Sequence, residues 1–234
     1  MRPQDHVIAR SKPNHALSRG IVTEPPAIAL GTPRGARGGG GYHGSVTAPG
    51  LTDPKQLYQR FRARATAVSA EVYCLASRRA ALEFVVETFA KEGIADQPGA
   101  RAVWVGGPEL HHLAARVPGL SFDVTRERAA AAKIGVTEAE SAIAATGTLL
   151  GDATAAAQRL ASTLPSIHIA LVALANLRES LADALAQFDP RHARYLAAIT
   201  GPSRTADIER VLTIGVHGPV RLIIVFYGNV EETA

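Results

Sequence analysis

Short apolar runs, each followed by a turn and then by apolar residues at helical spacing, constrain this chain more than any other feature. The clearest runs are Ile167-His168-Ile169-Ala170-Leu171-Val172-Ala173 and Leu222-Ile223-Ile224-Val225-Phe226, with Ala102-Val103-Trp104-Val105 earlier. Runs of this length, rich in branched residues, read as strands buried on both faces. Between them lie helix patterns. Asp53 and Pro54 cap and start a helix with Leu57, Tyr58, Phe61 and Ala65 on one face. Ser77 opens a second, with Ala81, Leu82, Val85, Val86 and Phe89 in register and Gly93 as the stop. Further along, the pattern predicts strands over 70–75, 120–124, 146–150, 196–199 and 220–226. It predicts helices over 109–116, 126–133, 138–145, 177–188 and 205–213, and an irregular stretch over 158–164. Alternating strands and helices predict an α/β fold, a mostly parallel sheet flanked by helices.

Charge and composition divide the chain near residue 50. Residues 1–50 hold six Lys/Arg against two Asp/Glu, and nine of the 21 glycines, including the tetraglycine from Gly38 to Gly41. Such a segment buries too little to offset its ordering entropy, so 1–50 is expected to be a flexible basic tail and 51–234 the folded α/β domain. Residues 51–234 hold 19 basic and 19 acidic residues. A neutral domain argues against nucleic acid as a partner. The tail glycines neither follow a strand nor open a helix, so they match neither the dinucleotide fingerprint nor the P-loop. Cys74 is the single cysteine, which excludes an internal disulfide and a cysteine-held cluster in this chain. No run approaches a membrane span and the first residues lack an apolar signal core, so a cytoplasmic protein is expected.

The chemistry concentrates in Thr200-Gly201-Pro202-Ser203-Arg204-Thr205-Ala206-Asp207-Ile208-Glu209, closed by Gly215-Val216-His217-Gly218-Pro219. An apolar run leading into Gly-Pro, then a hydroxyl residue, reads as strand, turn and helix N-terminus, with Ser203 as the cap. Such junctions attract anions. Two readings of this stretch stand: Ser203 caps while Arg204 pairs with Asp207, or Gly201, Ser203, Arg204, Thr205 and Asp207 bind an anion. A serine nucleophile does not fit. Thr205 replaces the last glycine of the elbow, and Asp207 is too close to orient a base independently. His217, in a glycine-flanked turn, is either a solvent histidine or the best candidate for a proton shuttle. His168, inside a strand, reads as a hydrogen-bonded core histidine. His111 and His112 are adjacent on a helix and make a poor metal pair, so no metal site is expected. Thr146-Gly147-Thr148 offers two hydroxyls and exposed N–H groups at a strand start, as an ordinary turn or as part of a binding site.

Four blocks carry a resemblance: Ala142-Ile143-Ala144-Ala145-Thr146-Gly147-Thr148-Leu149, Leu164-Pro165-Ser166-Ile167-His168-Ile169, Gly201-Pro202-Ser203-Arg204-Thr205-Ala206-Asp207-Ile208-Glu209 and Gly215-Val216-His217-Gly218-Pro219. In this order they resemble the LUD-domain proteins, and among them the lactate utilization protein C (LutC/YkgG) group, over residues 53–228. The resemblance implies a fold similar to the NagB/RpiA/CoA-transferase group. It also implies a role in oxidising L-lactate to pyruvate beside two partner subunits, LutA-like and LutB-like, that carry iron–sulfur clusters. This chain binds no cofactor by that reading. The family commonly has glutamate before Thr-Gly-Thr, where this chain has Ala145.

The expectation is therefore a subunit of an iron–sulfur-dependent L-lactate utilization system. It would bind an anionic small molecule between Ser203 and the Thr146–Thr148 turn, with Arg204 as the fork-shaped partner of the anion. Two alternatives remain: a self-contained enzyme on phosphorylated or CoA-activated small molecules, and a non-catalytic binding or assembly subunit.

Overall fold

The computed structural model describes residues 53–206, 212–214 and 218–228. Helix α1 (Pro54–Ala67) starts as the sequence dictates: the Asp53 carboxylate accepts the Lys55 N–H at 2.9 Å and Pro54 takes the first turn. Strand β1 (Glu71–Leu75) follows. Helix α2 (Arg78–Lys91) is capped by the Ser77 hydroxyl, which accepts the Ala80 N–H at 3.2 Å. Then come β2 (Arg101–Trp104), a 3-10 helix (Pro108–Ala115), the short edge strand β3 (Leu120–Ser121), α3 (Arg126–Ala131) and β4 (Ala132–Glu138). The second half contains β5 (Ser141–Ile143), β6 (Thr148–Asp152), α4 (Ala156–Thr163), β7 (Ile167–Ala173) and β8 (Leu177–Arg178). It continues with α5 (Leu181–Leu185), β9 (Leu196–Ile199), β10 (Arg204–Ala206), β11 (Leu212–Ile214) and β12 (Arg221–Tyr227).

Six strands form an all-parallel sheet in the order β1-β12-β7-β4-β2-β3. Alternation along the strands sorts two cores. Ile134, Val136, Ile167, Ile169, Leu171, Ile223 and Val225 pack with Val85, Phe89, Trp104 and Leu113 beneath α2 and the 3-10 helix. Ala170, Val172, Leu222, Ile224 and Phe226 face the other way, toward Phe61 and Ala65 of α1 and Ala142 and Leu149 of a second sheet. Tyr58 and Phe61 meet the Phe226 ring edge-on, with centroids 5.5 and 5.0 Å away. At the amino edge of the sheet, Arg221 bonds both Glu71 oxygens and Glu92 Oε1. Lys133 Nζ lies 2.8 Å from Glu92 Oε2, so four elements are tied by one charge network.

The mostly parallel sheet is as the pattern predicts, but one of its covering layers is itself partly a sheet. Strands β8-β5-β6-β9 form it, with antiparallel β5–β6 and β6–β9 pairs and a parallel β5–β8 pair. Four sequence expectations give way here. The helices predicted over 126–133 and 138–145, with no strand between them, give way to α3, the whole of β4, then β5 and a turn. Ser141, Ala142, Ile143 and Ala144 are all buried, with Ala142 and Ala144 against the α1 side and Ile143 against α5. Burial on both faces overrides the helix propensity of alanine. The irregular stretch over 158–164 is the end of α4. That helix has no side-chain cap, so its start carried no signal. The helix over 177–188 shrinks to α5, because the Ser180–Asp183 capping box restarts the chain there.

The fourth correction concerns 205–213. Its two described ends are not helical: β10 and β11 pair antiparallel, Arg204 opposite Ile214 and Ala206 opposite Leu212. β-Branched residues at Thr205, Thr213 and Ile214 favour that ladder over a helix. Ser203 therefore caps no helix; its N–H donates to the Pro219 carbonyl at 2.8 Å.

Helix α4 approaches β4 closely enough that a Cβ placed on Gly135 would lie 1.9 Å from the Ala161 carbonyl oxygen. Both partners are backbone, so neither can rotate away. Gly135→Ala is expected to cost about 2 kcal/mol or more in urea unfolding, with a red-shifted Trp104 emission as the sheet loosens.

Candidate functional site

A cleft of about 430 Å³ opens on the α1 side of the large sheet, at the amino ends of β7 and β12. Its floor is His168 and Leu222. One wall is the last turns of α4, which contribute Arg159, Ser162 and Thr163. Strand β9 and the turn from Thr200 to Ser203 also line the cleft, and Tyr195 lies against Arg159. Gly218 and Pro219 complete the rim. The position departs from the usual rule that ligands sit beyond the carboxyl ends of parallel strands. It arises because β9 belongs to the second sheet and crosses over the amino half of the first.

The structure brings together the two sequence blocks that were read as one unit. The Ser203–Pro219 backbone bond joins them, and a Cβ on Gly218 would lie 3.0 Å from the Ser203 Cβ. Gly201 has φ +73°, and a side chain there would strike the Val68 carbonyl at 2.7 Å. Gly147 has φ +69°, and a Cβ there would sit 2.4 Å from the Ala65 nitrogen. Both turns thus rest on the carboxyl end of α1, where only glycine fits.

Of the predicted site residues, Gly201 and Ser203 line the cleft. Thr146, Gly147 and Thr148 do not line it and reach it through a hydroxyl chain: Thr146 Oγ1 is 2.7 Å from Thr148 Oγ1, which is 2.8 Å from Thr200 Oγ1. Arg204 is exposed and donates to the Ser69 hydroxyl at 2.8 Å, away from the cleft lining. The Thr205 backbone pairs with Thr213. Asp207 and His217 lie outside the described residues. Ala145 donates its N–H to the Glu179 carbonyl at 3.0 Å. The nearby acids are occupied elsewhere: Glu138 pairs with Arg78, and Glu140 accepts the Asp152 N–H at 2.7 Å.

Sequence reasoning missed Arg159, Ser162, Thr163 and Tyr195, and named Thr200 only as the start of the Gly-Pro-Ser stretch. Arg159, Ser162 and Thr163 have i, i+3, i+4 spacing, which places them on one helix face once 156–163 is read as a helix. One guanidinium nitrogen of Arg159 donates to the carbonyls of Ala153 and Thr154, and the group lies 5.1 Å from the Tyr195 ring centroid. Among the described residues no carboxylate pairs with it.

His168 is a core histidine, as its strand context predicts. It is 1% exposed, its Nε2 lies 2.9 Å from Thr137 Oγ1, and burial pushes its pKa down to about 4. It meets the cleft as a neutral imidazole and also borders a small inner chamber of about 30 Å³. His111 contacts the Phe122 ring while His112 Nδ1 lies 2.8 Å from the Glu109 carbonyl, so the two diverge. Cys74 is half-buried and burial raises its thiol pKa, which keeps it protonated. Among the described residues no group of His, Cys, Asp and Glu is placed to hold a metal, and no helix is long and apolar enough to cross a membrane.

Comparison with known proteins identifies the scaffold. The LUD domain family matches residues 58–227. Lactate utilization protein C of an Exiguobacterium species is 38% identical over 109 residues, 43% of this chain and 46% of that protein. The Bacillus licheniformis and Bacillus subtilis proteins of the same name are 35% and 33% identical over 105 and 106 residues. The chain spans less than half the length of these curated relatives. A crystal structure of a DUF162 family protein from Deinococcus radiodurans superposes with a TM-score of 0.48 at 20% identity, covering 75% of this chain and 98% of that one. The chain belongs to the LUD-domain family.

Burial of His168 has a measurable consequence. The unfolded imidazole takes its proton near pH 6.5 and the folded one near 4. Between those values the unfolded state binds more protons, so stability is lost as the pH falls, by about 3 kcal/mol in total. His168→Gln removes this titration. Urea midpoints measured from pH 6.5 to 4 should fall less steeply in the variant; parallel curves would show that His168 is not the titrating group.

Proposed function

We propose that this LUD-domain chain is a subunit of an iron–sulfur-dependent L-lactate utilization system, oxidising L-lactate to pyruvate, and that its cleft binds an anionic small molecule. The cytoplasm is the compartment proposed with it. Support for the pathway comes from the relatives called lactate utilization protein C. The observation that carries the binding role is Arg159: a guanidinium in a concave site, held in place by two carbonyls, with no carboxylate partner among the described residues. Its remaining N–H groups, with Ser203 at the rim, suit a carboxylate or phosphate, while the Ser162 and Thr163 hydroxyls donate back into α4, to the Gln158 and Arg159 carbonyls.

Oxidising lactate removes the hydroxyl proton and two electrons with the carbon-bound hydrogen. One cysteine cannot supply the four thiolates of an iron–sulfur cluster, so the LutA-like and LutB-like partners are proposed to carry the electrons. Within this chain, Ala145 offers no carboxylate for proton transfer and His168 is neutral, which favours binding and positioning over bond-breaking.

The test is reconstitution. The isolated chain should form no pyruvate from L-lactate, and adding purified iron–sulfur subunits should restore turnover. Arg159→Gln should lower turnover of the assembled system about tenfold or more while leaving assembly intact on gel filtration. Turnover by the isolated chain, or full activity of the variant, would sink the proposal.

A further inference from the structure

We propose that the ligand of this cleft is larger than a three-carbon hydroxy acid: a planar aromatic or heteroaromatic carboxylate or phosphate, with its acidic group at Arg159 and its ring against Tyr195. This rests on the reading of the cleft as the anion site and sharpens what occupies it.

Three observations converge. The first is size. A volume of about 430 Å³ lies in the range that holds drug-sized ligands, and lactate would leave most of it to water. The second is polarity. Arg159, on α4, is the one charged side chain among the described lining residues, while Leu222 and the β9 residues Leu196, Ala197, Ala198 and Ile199 supply apolar surface. A ligand that fits has one acidic end and an apolar body.

The third is Tyr195. It stands immediately before β9, is 54% exposed, and lies over the Arg159 guanidinium at 5.1 Å. Tyrosine offers a flat aromatic face on which a ring can stack, with a polar tip left to solvent. Beside a cation with no carboxylate partner among the described residues, it forms a stacking platform and an anion clamp in one place. The backbone on each side is fixed, because the Arg194 and Tyr195 N–H groups both donate to the Thr154 hydroxyl, at 2.9 and 3.2 Å. Thr154 also presents its carbonyl to Arg159 at 3.0 Å, so one residue sets the position of both the ring and the cation.

The test uses two matched probe pairs, L-lactate with L-3-phenyllactate and inorganic phosphate with phenyl phosphate, titrated calorimetrically into the full chain. Each ring-bearing probe should bind at least about tenfold more tightly than its partner. The pair that shows the larger gain identifies the acidic group. Tyr195→Ala, an exposed position whose loss should leave the melting temperature unchanged, should abolish the gain in either pair. Arg159→Gln should weaken every probe that binds. If the members of each pair bind alike and all depend on Arg159, the cleft is the anion site and the ring inference is overturned. If no probe binds, or binding ignores Arg159→Gln, the anion reading fails with it.

Discussion

Two backbone turns meet the carboxyl end of α1, and the rest of the candidate site depends on that meeting. Gly147 and Gly201 each take a left-handed φ, and each lies where a single added carbon would strike main-chain atoms of residues 65 or 68. One turn ends the β5–β6 hairpin; the other follows β9. Anchoring both to one helix end sets the second sheet against the first. It also brings Thr148 within hydrogen-bond range of Thr200. The turn side of the site is thus fixed by what glycine lacks, while Thr154 and α4 set the positions of Arg159 and Tyr195.

That arrangement explains how much of the molecule could be read from its sequence. Strands β2, β7 and β12 were legible because they are buried on both faces and read as continuous apolar runs, whereas β4 in the middle of the sheet went unread, its run interrupted by Gly135, Thr137 and Glu138 and its start falling in the helix expected over 126–133. Capped helices were legible for the same local reason: Asp53-Pro54 and Ser77 announce their starts. The second sheet was not, because Ser141 to Ala144 is small, buried and alanine-rich, and its strand form is imposed by neighbours far away in sequence. The stretch around Ser203 was legible as important and misread as to shape. Its Ile208, Val211 and Leu212 spacing suits a helix, whereas the paired ends, Arg204 to Ala206 and Leu212 to Ile214, form a hairpin ladder. Arg159 and Tyr195 escaped because neither belongs to a motif; each matters only through the other.

The electrostatic character of the cleft follows from burial. His168 cannot add positive charge at neutral pH, since desolvation holds it unprotonated and its Nε2 is engaged with Thr137. The cation comes instead from Arg159, whose charge does not titrate and whose geometry is fixed by carbonyls. Among the described residues the cleft therefore offers a permanent, oriented charge beside a neutral ring.

The place of β12 in the large sheet has a consequence for synthesis. Strand β1, the first described strand, pairs in parallel with β12, the last described strand, and β12 also pairs along its whole length with β7. Until residues 221–227 leave the ribosome, β1 has no neighbour and β7 keeps one open, apolar edge. Every other strand of the sheet can be in place and the two cores still stay unclosed. Such a topology folds late and through long loops, exposing β7 to pairing with other chains while it waits. Strand β12 therefore acts as the keystone of the fold, and the Arg221 charge network at its first residue locks the arch as soon as it is set.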